Sequence, residues 1–106
     1  MEFHIIYEDI NSWCIKTFGK NRAIASLHHL KEEIEEIIQE LGKENVNVED
    51  CDKEYADAFI LLINSAASYG MDANDVLKAI SIKMDINRGR RWGSPDDNGI
   101  CKHLKE

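Results

Sequence analysis

The chain has 106 residues, with 20 acids against 13 bases and a net charge of −7, enough for one hydrophobic core and too little for a second folded domain. The charge is local: residues 31–57 hold 11 acids and 3 bases, a net −8, which leaves the other 79 residues at +1. Acidity spread over the whole chain would argue weakly against nucleic-acid polymers and anionic membranes as partners, neither of which is expected here, but a localised acidic block beside a near-neutral remainder asks what cation it serves.

The apolar spacing predicts four helices. The first covers residues 5–18, with Ile6, Ile10, Trp13 and Thr17 on one stripe, and stops at Gly19; Trp13 is expected in the core. The second runs over residues 22–41 between a candidate N-cap at Asn21 and Gly42, with Ile24, Leu27, Leu30, Ile34, Ile37, Ile38 and Leu41 recurring at steps of three and four. After a short polar loop, a third helix begins near Asp50 and ends at Gly70, and two helices joined this way are expected to be antiparallel neighbours. The fourth opens at Asp72-Ala-Asn-Asp75, which has the spacing of a capping box, and continues to Arg88 or Arg90. Residues 93–106 form an irregular tail with turn residues around Pro95.

No apolar run approaches the roughly 20 residues of a membrane span, and no basic segment followed by an apolar stretch opens the chain, so a cytoplasmic protein is expected. The cysteines Cys14, Cys51 and Cys101 are odd in number and widely spaced, which fits reduced thiols.

The chemistry lies in the acids. The second helix carries Glu32-Glu33-Ile34-Glu35-Glu36 and the third Glu54-Tyr55-Ala56-Asp57, and side chains three apart share one helix face. At about 100° per residue, the apolar arc of the second helix centres on Leu30, Ile34 and Leu41, with Glu33 at its edge, Glu36 further round, and Glu35 pointing away. In the third helix, apolar residues from Ala56 to Ile63 surround Asp57, which predicts a largely buried helix and a buried carboxylate. Clustered, partly buried carboxylates repel one another and need a cation to stay ionised; Mg²⁺, with Mn²⁺ as a substitute, suits an all-oxygen site that also takes substrate phosphates. A ferritin-like di-iron site is disfavoured, because no histidine follows any of these acids by three residues. On the fourth helix Lys83, Asn87 and Arg90 fall within one arc with Val76 and Ile80, an inward face that turns cationic and suits a polyphosphate.

These residues resemble the MazG-like all-α nucleotide pyrophosphohydrolases, whose E-E-x-x-E and E-x-x-D halves are met by Glu32-Glu33-x-x-Glu36 and Glu54-x-x-Asp57 with 17 residues between them. Small phage and bacterial dATP/dGTP pyrophosphohydrolase-type members look similar further out, at Trp13, Phe18-Gly19, His29-Leu30, the segment Lys83, Asn87, Arg90, Trp92, and Asn98-Gly99 with His103. The resemblance implies a single domain over residues 1–106: a four-helix bundle with an irregular tail, assembled as a homodimer or homotetramer. It implies Mg²⁺-dependent hydrolysis of (deoxy)nucleoside triphosphates to the monophosphate and pyrophosphate, for sanitation or regulation of a nucleotide pool. Carried over by position, Glu33, Glu36, Glu54 and Asp57 match metal ligands, and Glu32, Glu33 and Glu36 are the catalytic candidates. Lys83, Asn87 and Arg90 match the phosphate and sugar side, with His29 and Trp92 as further substrate contacts. A phosphoribosyl-ATP pyrophosphohydrolase-like enzyme and a non-catalytic helical module that binds a cation or nucleotide are the alternatives.

Overall fold

A computed structural model describes residues 1–105 and contains four helices, α1 (Phe3–Phe18), α2 (Ala23–Leu41), α3 (Val48–Tyr69) and α4 (Ala73–Arg88), with no strand among the described residues. The chain forms two compact units, Met1–Asn74 and Asp75–Glu106. No described helix is long and apolar enough to cross a membrane.

In the first unit α2 and α3 pack along their length, and α1 lies more sparsely on α3. Hydrogen bonds fix the pair as antiparallel. At one end the Ser65 hydroxyl donates to the Ala23 carbonyl (2.7 Å), the Ser68 hydroxyl accepts from the Arg22 amide (3.1 Å), and the buried Asn64 amide donates to the buried Ser26 hydroxyl (2.7 Å). At the other end the Asn47 side chain caps α3 by accepting from the Asp50 amide (3.1 Å). The cap therefore sits three residues before the expected Asp50. The start of α2 also differs from expectation: Arg22 is the capping residue, without a side-chain cap bond, and Asn21 takes a left-handed φ of 62° in the turn before it. That conformation is one asparagine tolerates better than most residues.

The buried faces depart from the periodicity in an instructive way. On α2 the buried residues are Ser26, Ile37 and Glu40, with Leu30 and Glu33 half-buried, whereas Ile34 and Leu41 are exposed. The apolar arc expected to face the core thus faces outward in the single chain, and the stripe that meets α3 is the partly polar one beside it. On α3 only one face is covered: Cys51, Leu61, Asn64 and Ser65 are buried, while Asp57 is exposed and Phe59 retains 64% of its surface. The expectation of a helix buried on nearly every side, with Asp57 inside it, is corrected accordingly, because in one chain only α2 packs closely along α3 while α1 covers it sparsely. Trp13 likewise lies outside the core, half-exposed beside an edge-on contact with Phe18.

The second unit comprises most of α4 and the C-terminal tail. On α4 the arc expected to point inward is divided: Ile80 and Lys83 are exposed, and Asn87 and Arg90 are half-buried. The tail is non-helical but ordered by hydrogen bonds. Trp92 and His103 form an isolated antiparallel bridge, reinforced by bonds from the Gly93 amide to the Lys102 carbonyl (2.8 Å) and from the Leu104 amide to the Arg91 carbonyl (2.7 Å). Its turn is closed by the Asp96 carboxylate, which accepts from the Asn98 and Ile100 amides at 2.9 Å each, and by Gly99 at φ 78°. All three cysteines are free thiols, Cys14 and Cys51 buried and Cys101 exposed.

Candidate active site

The acids of the first unit are set by the α2 and α3 backbones. Glu33 sits on the α2 stripe that meets α3, with its side chain 17% exposed, and its carboxyl is pushed above the ordinary carboxylate range. Burial is the leading cause, followed by the charge of Glu36 and a side-chain hydrogen bond with it, and then by the charge of Asp57 across the helix pair. Only His29, whose Nε2 lies 3.4 Å from Glu33 Oε1 one turn earlier, acts in the opposite sense. Three of the four expected metal ligands, Glu33, Glu36 and Asp57, therefore act on one another, and a cation among them would relieve their repulsion.

Glu54, the fourth, is half-buried toward the loop end of the pair, and its Oε2 is buried without a hydrogen-bond partner. A buried carboxylate oxygen with no donor is costly. Among the described residues no three histidine, cysteine or acid side chains already stand at metal-binding separation, so the acids share a face without closing into a cage. The donor set is nonetheless that of a hard divalent ion: carboxylate oxygens in excess, one orphaned and one whose ionised form burial and its acidic neighbours disfavour. Glu32 and Glu35 are exposed.

Glu40, seven residues after Glu33 on the same stripe, has the opposite environment. Only 6% exposed, it accepts from Lys43 Nζ (2.5 Å) and from the Asn47 amide (2.9 Å), and these two bonds pull its carboxyl below the ordinary range. Lys43 is raised in turn, chiefly by the bond to Glu40. Burial pushes the adjacent Cys51 thiol up, and the charges of Glu54 and Glu40 add to the effect, so this thiol is a neutral packing group. From the sequence alone Glu40 is given no role. Its position one heptad after Glu33 is the signal that both belong to one face.

In the second unit, Trp92 Nε1 donates to the Asn87 carbonyl (3.0 Å) and its ring meets His103 edge-on at 6.1 Å between centroids. Half its surface remains exposed. Arg88 pairs with Asp85 at 3.2 Å. Lys83, Asn87 and Arg90 thus share one helix end, with the lysine outermost.

Comparison with known proteins bears on the same residues. The model of a family described as dATP/dGTP pyrophosphohydrolase matches residues 6–106. Among solved structures the chain is similar to the cyanophage S-2L MazG-like pyrophosphohydrolase bound to dGDP and three catalytic Mn²⁺ ions per active site, at 28% identity over 100% of this chain and 96% of that one, with a TM-score of 0.79. No curated protein matches it.

Proposed function

We propose, from the premise that this chain belongs to the dATP/dGTP pyrophosphohydrolase family and is a hydrolase of nucleotide phosphoanhydrides, that it splits (deoxy)nucleoside triphosphates between the α and β phosphates with Mg²⁺ or Mn²⁺. The observation that carries this reading is the partly buried Glu33 carboxyl, whose ionised form burial and the charges of Glu36 and Asp57 disfavour. Glu33, Glu36, Glu54 and Asp57 would hold the metal, which when bound polarises the phosphoryl oxygens and acidifies a water. The residues of the chain then do the rest. A carboxylate among Glu32, Glu33 and Glu36 takes the proton of the attacking water, and His29 fixes the orientation of Glu33 through their 3.4 Å contact. Lys83, Asn87 and Arg90 bind phosphate and sugar, and Trp92, with its exposed ring, offers a face to the base. The cyanophage relative carries Mn²⁺ and a deoxyguanosine nucleotide, which supports both a divalent metal and a deoxynucleotide substrate.

The working unit in this reading is a homodimer or homotetramer. Its support is the apolar surface left open in one chain: Ile24, Ile38, Phe59 and Leu62 are each at least half-exposed. A groove of about 670 Å³ beside α1 and α3 is lined by Ile10, Trp13, Phe59 and Ile63. Contiguous exposed apolar surface of this kind is where protein partners dock, and a second copy is the occupant always at hand.

Incubation with each nucleoside triphosphate and Mg²⁺ or Mn²⁺, followed by separation of products, tests the activity. Monophosphate with pyrophosphate is expected; diphosphate with orthophosphate, or no turnover with any of them, overturns the reading. Light scattering after size exclusion tests the assembly, and a monomer at micromolar concentration refutes it.

A further inference from the structure

The C-terminal hairpin does more than end the chain. It returns residues 103–105 to the end of α4 and leaves a cleft of about 510 Å³ lined by Asp85, Ile86, Gly89, Arg90, His103, Leu104 and Lys105. The sign of charge here is the reverse of the chain as a whole: Asp75–Glu106 holds seven bases and five acids, within a protein of net −7. The one acid lining the cleft, Asp85, is engaged by Arg88 at 3.2 Å, whereas Arg90 and Lys105 have no ion-pair partner among the described residues. A helix C-terminus ordinarily repels an anion, but here three of its last four carbonyls are occupied. Those of Asp85 and Ile86 accept from the Gly89 amide, and that of Asn87 accepts from the Arg90 amide and the Trp92 indole. The imidazole of His103 is set by its edge-on contact with Trp92 and by the bridge between the two residues.

We propose that this cleft is a binding site for a pyrophosphate group, held by Arg90, His103 and Lys105. The group is either the β and γ phosphates of a nucleotide substrate or the pyrophosphate released from it. The proposal deepens the assignment of Arg90 to phosphate and adds His103 and Lys105, which that assignment does not include. A guanidinium, an ammonium and an imidazole lining one cleft match the several oxygens of a diphosphate better than a single phosphate or a carboxylate.

The test is a titration of the whole protein with inorganic pyrophosphate in EDTA, followed by the NMR signals of the His103 ring and the Trp92 indole N–H, so that neither metal nor turnover is needed. Saturable shifts of both signals are expected. Lys105→Ala and His103→Ala should each weaken binding about tenfold or more, while Lys102→Ala, which removes the same charge as Lys105→Ala from outside the cleft lining, leaves it unchanged. Absence of saturable shifts overturns the proposal, as does an equal loss with Lys102→Ala. Lys105→Ala keeps the test decisive if His103→Ala disturbs the hairpin. The two sources of the group separate in kinetics with Lys105→Ala: a raised KM for the triphosphate indicates the substrate tail, and relief of inhibition by pyrophosphate alone indicates the product. Binding of pyrophosphate by an enzyme that fails to hydrolyse triphosphates would sustain this site and sink the activity above.

Discussion

Two carboxylates seven residues apart on one stripe of α2 have been given opposite fates. Glu40 lies at the loop end, where Lys43 and the Asn47 amide both donate to it, and its charge is stabilised. Glu33 lies mid-helix, where burial and the like charges of Glu36 and Asp57 work against its ionised form. The first is a finished structural contact; the second is an unfinished one that a divalent cation would complete. Partial burial alone does not tell a structural acid from a functional one; the partners do.

The largest effect that can break this contrast is on turnover. Glu36→Gln and Asp57→Asn should each lower kcat/KM by about 100-fold or more, since removing even an outer partner of a metal ligand costs about 10–100-fold, while far-UV circular dichroism stays unchanged. Activity near wild type in either variant would end the metal assignment at the Glu33 end.

Stability supplies the next tests. Ser26→Ala leaves the buried Asn64 amide without its acceptor and should cost about 1–3 kcal/mol in urea unfolding, with activity retained. Glu40→Gln should lower the melting temperature by several degrees at neutral pH with no dependence on metal. Its pH dependence has a defined sign. The Glu40 carboxyl is lowered in the folded state, so its contribution is present above its ordinary value of 4.5 and is lost as pH falls through the folded value. The Lys43 amine is raised, so its share is present below 10.5 and is lost as pH rises through its folded value. The gap between wild type and Glu40→Gln should therefore be widest between these limits and narrow in acid. A gap independent of pH would deny the ion pair.

The smallest effect runs the other way. In EDTA, Glu33→Gln should melt slightly above wild type at neutral pH, because a carboxyl raised in the folded state loses stability as pH rises through its folded value. The advantage should vanish below the ordinary value of 4.5 and reverse when Mn²⁺ is added. A variant that melts lower in EDTA would show that Glu33, like Glu40, is already satisfied.

Much of this was legible in the sequence. The four helices follow from apolar spacing and glycine stops, and the expected ends fall within two residues of those observed. The i, i+3 acid pairs follow from local geometry, which depends on nothing beyond one helix. The resemblance to the family, too, was carried by short motifs in register along one chain, and the family model matches residues 6–106. What the sequence misjudged was orientation. Ile34 and Leu41 carry the strongest apolar signal on α2 and yet face outward, because hydrophobic periodicity marks every face that will be covered without saying by what.

Helix positions, acid spacing and the local surplus of negative charge were thus determined by the sequence, since each is a property of neighbours in the chain. Only the tertiary structure decided that the charge of Asp57 acts on Glu33 while Glu40 meets the Asn47 amide, and that the tail folds back so that His103, Lys105 and Arg90 line one cleft. These pairings join residues from different elements, and the energy of a charge depends on which groups surround it in space.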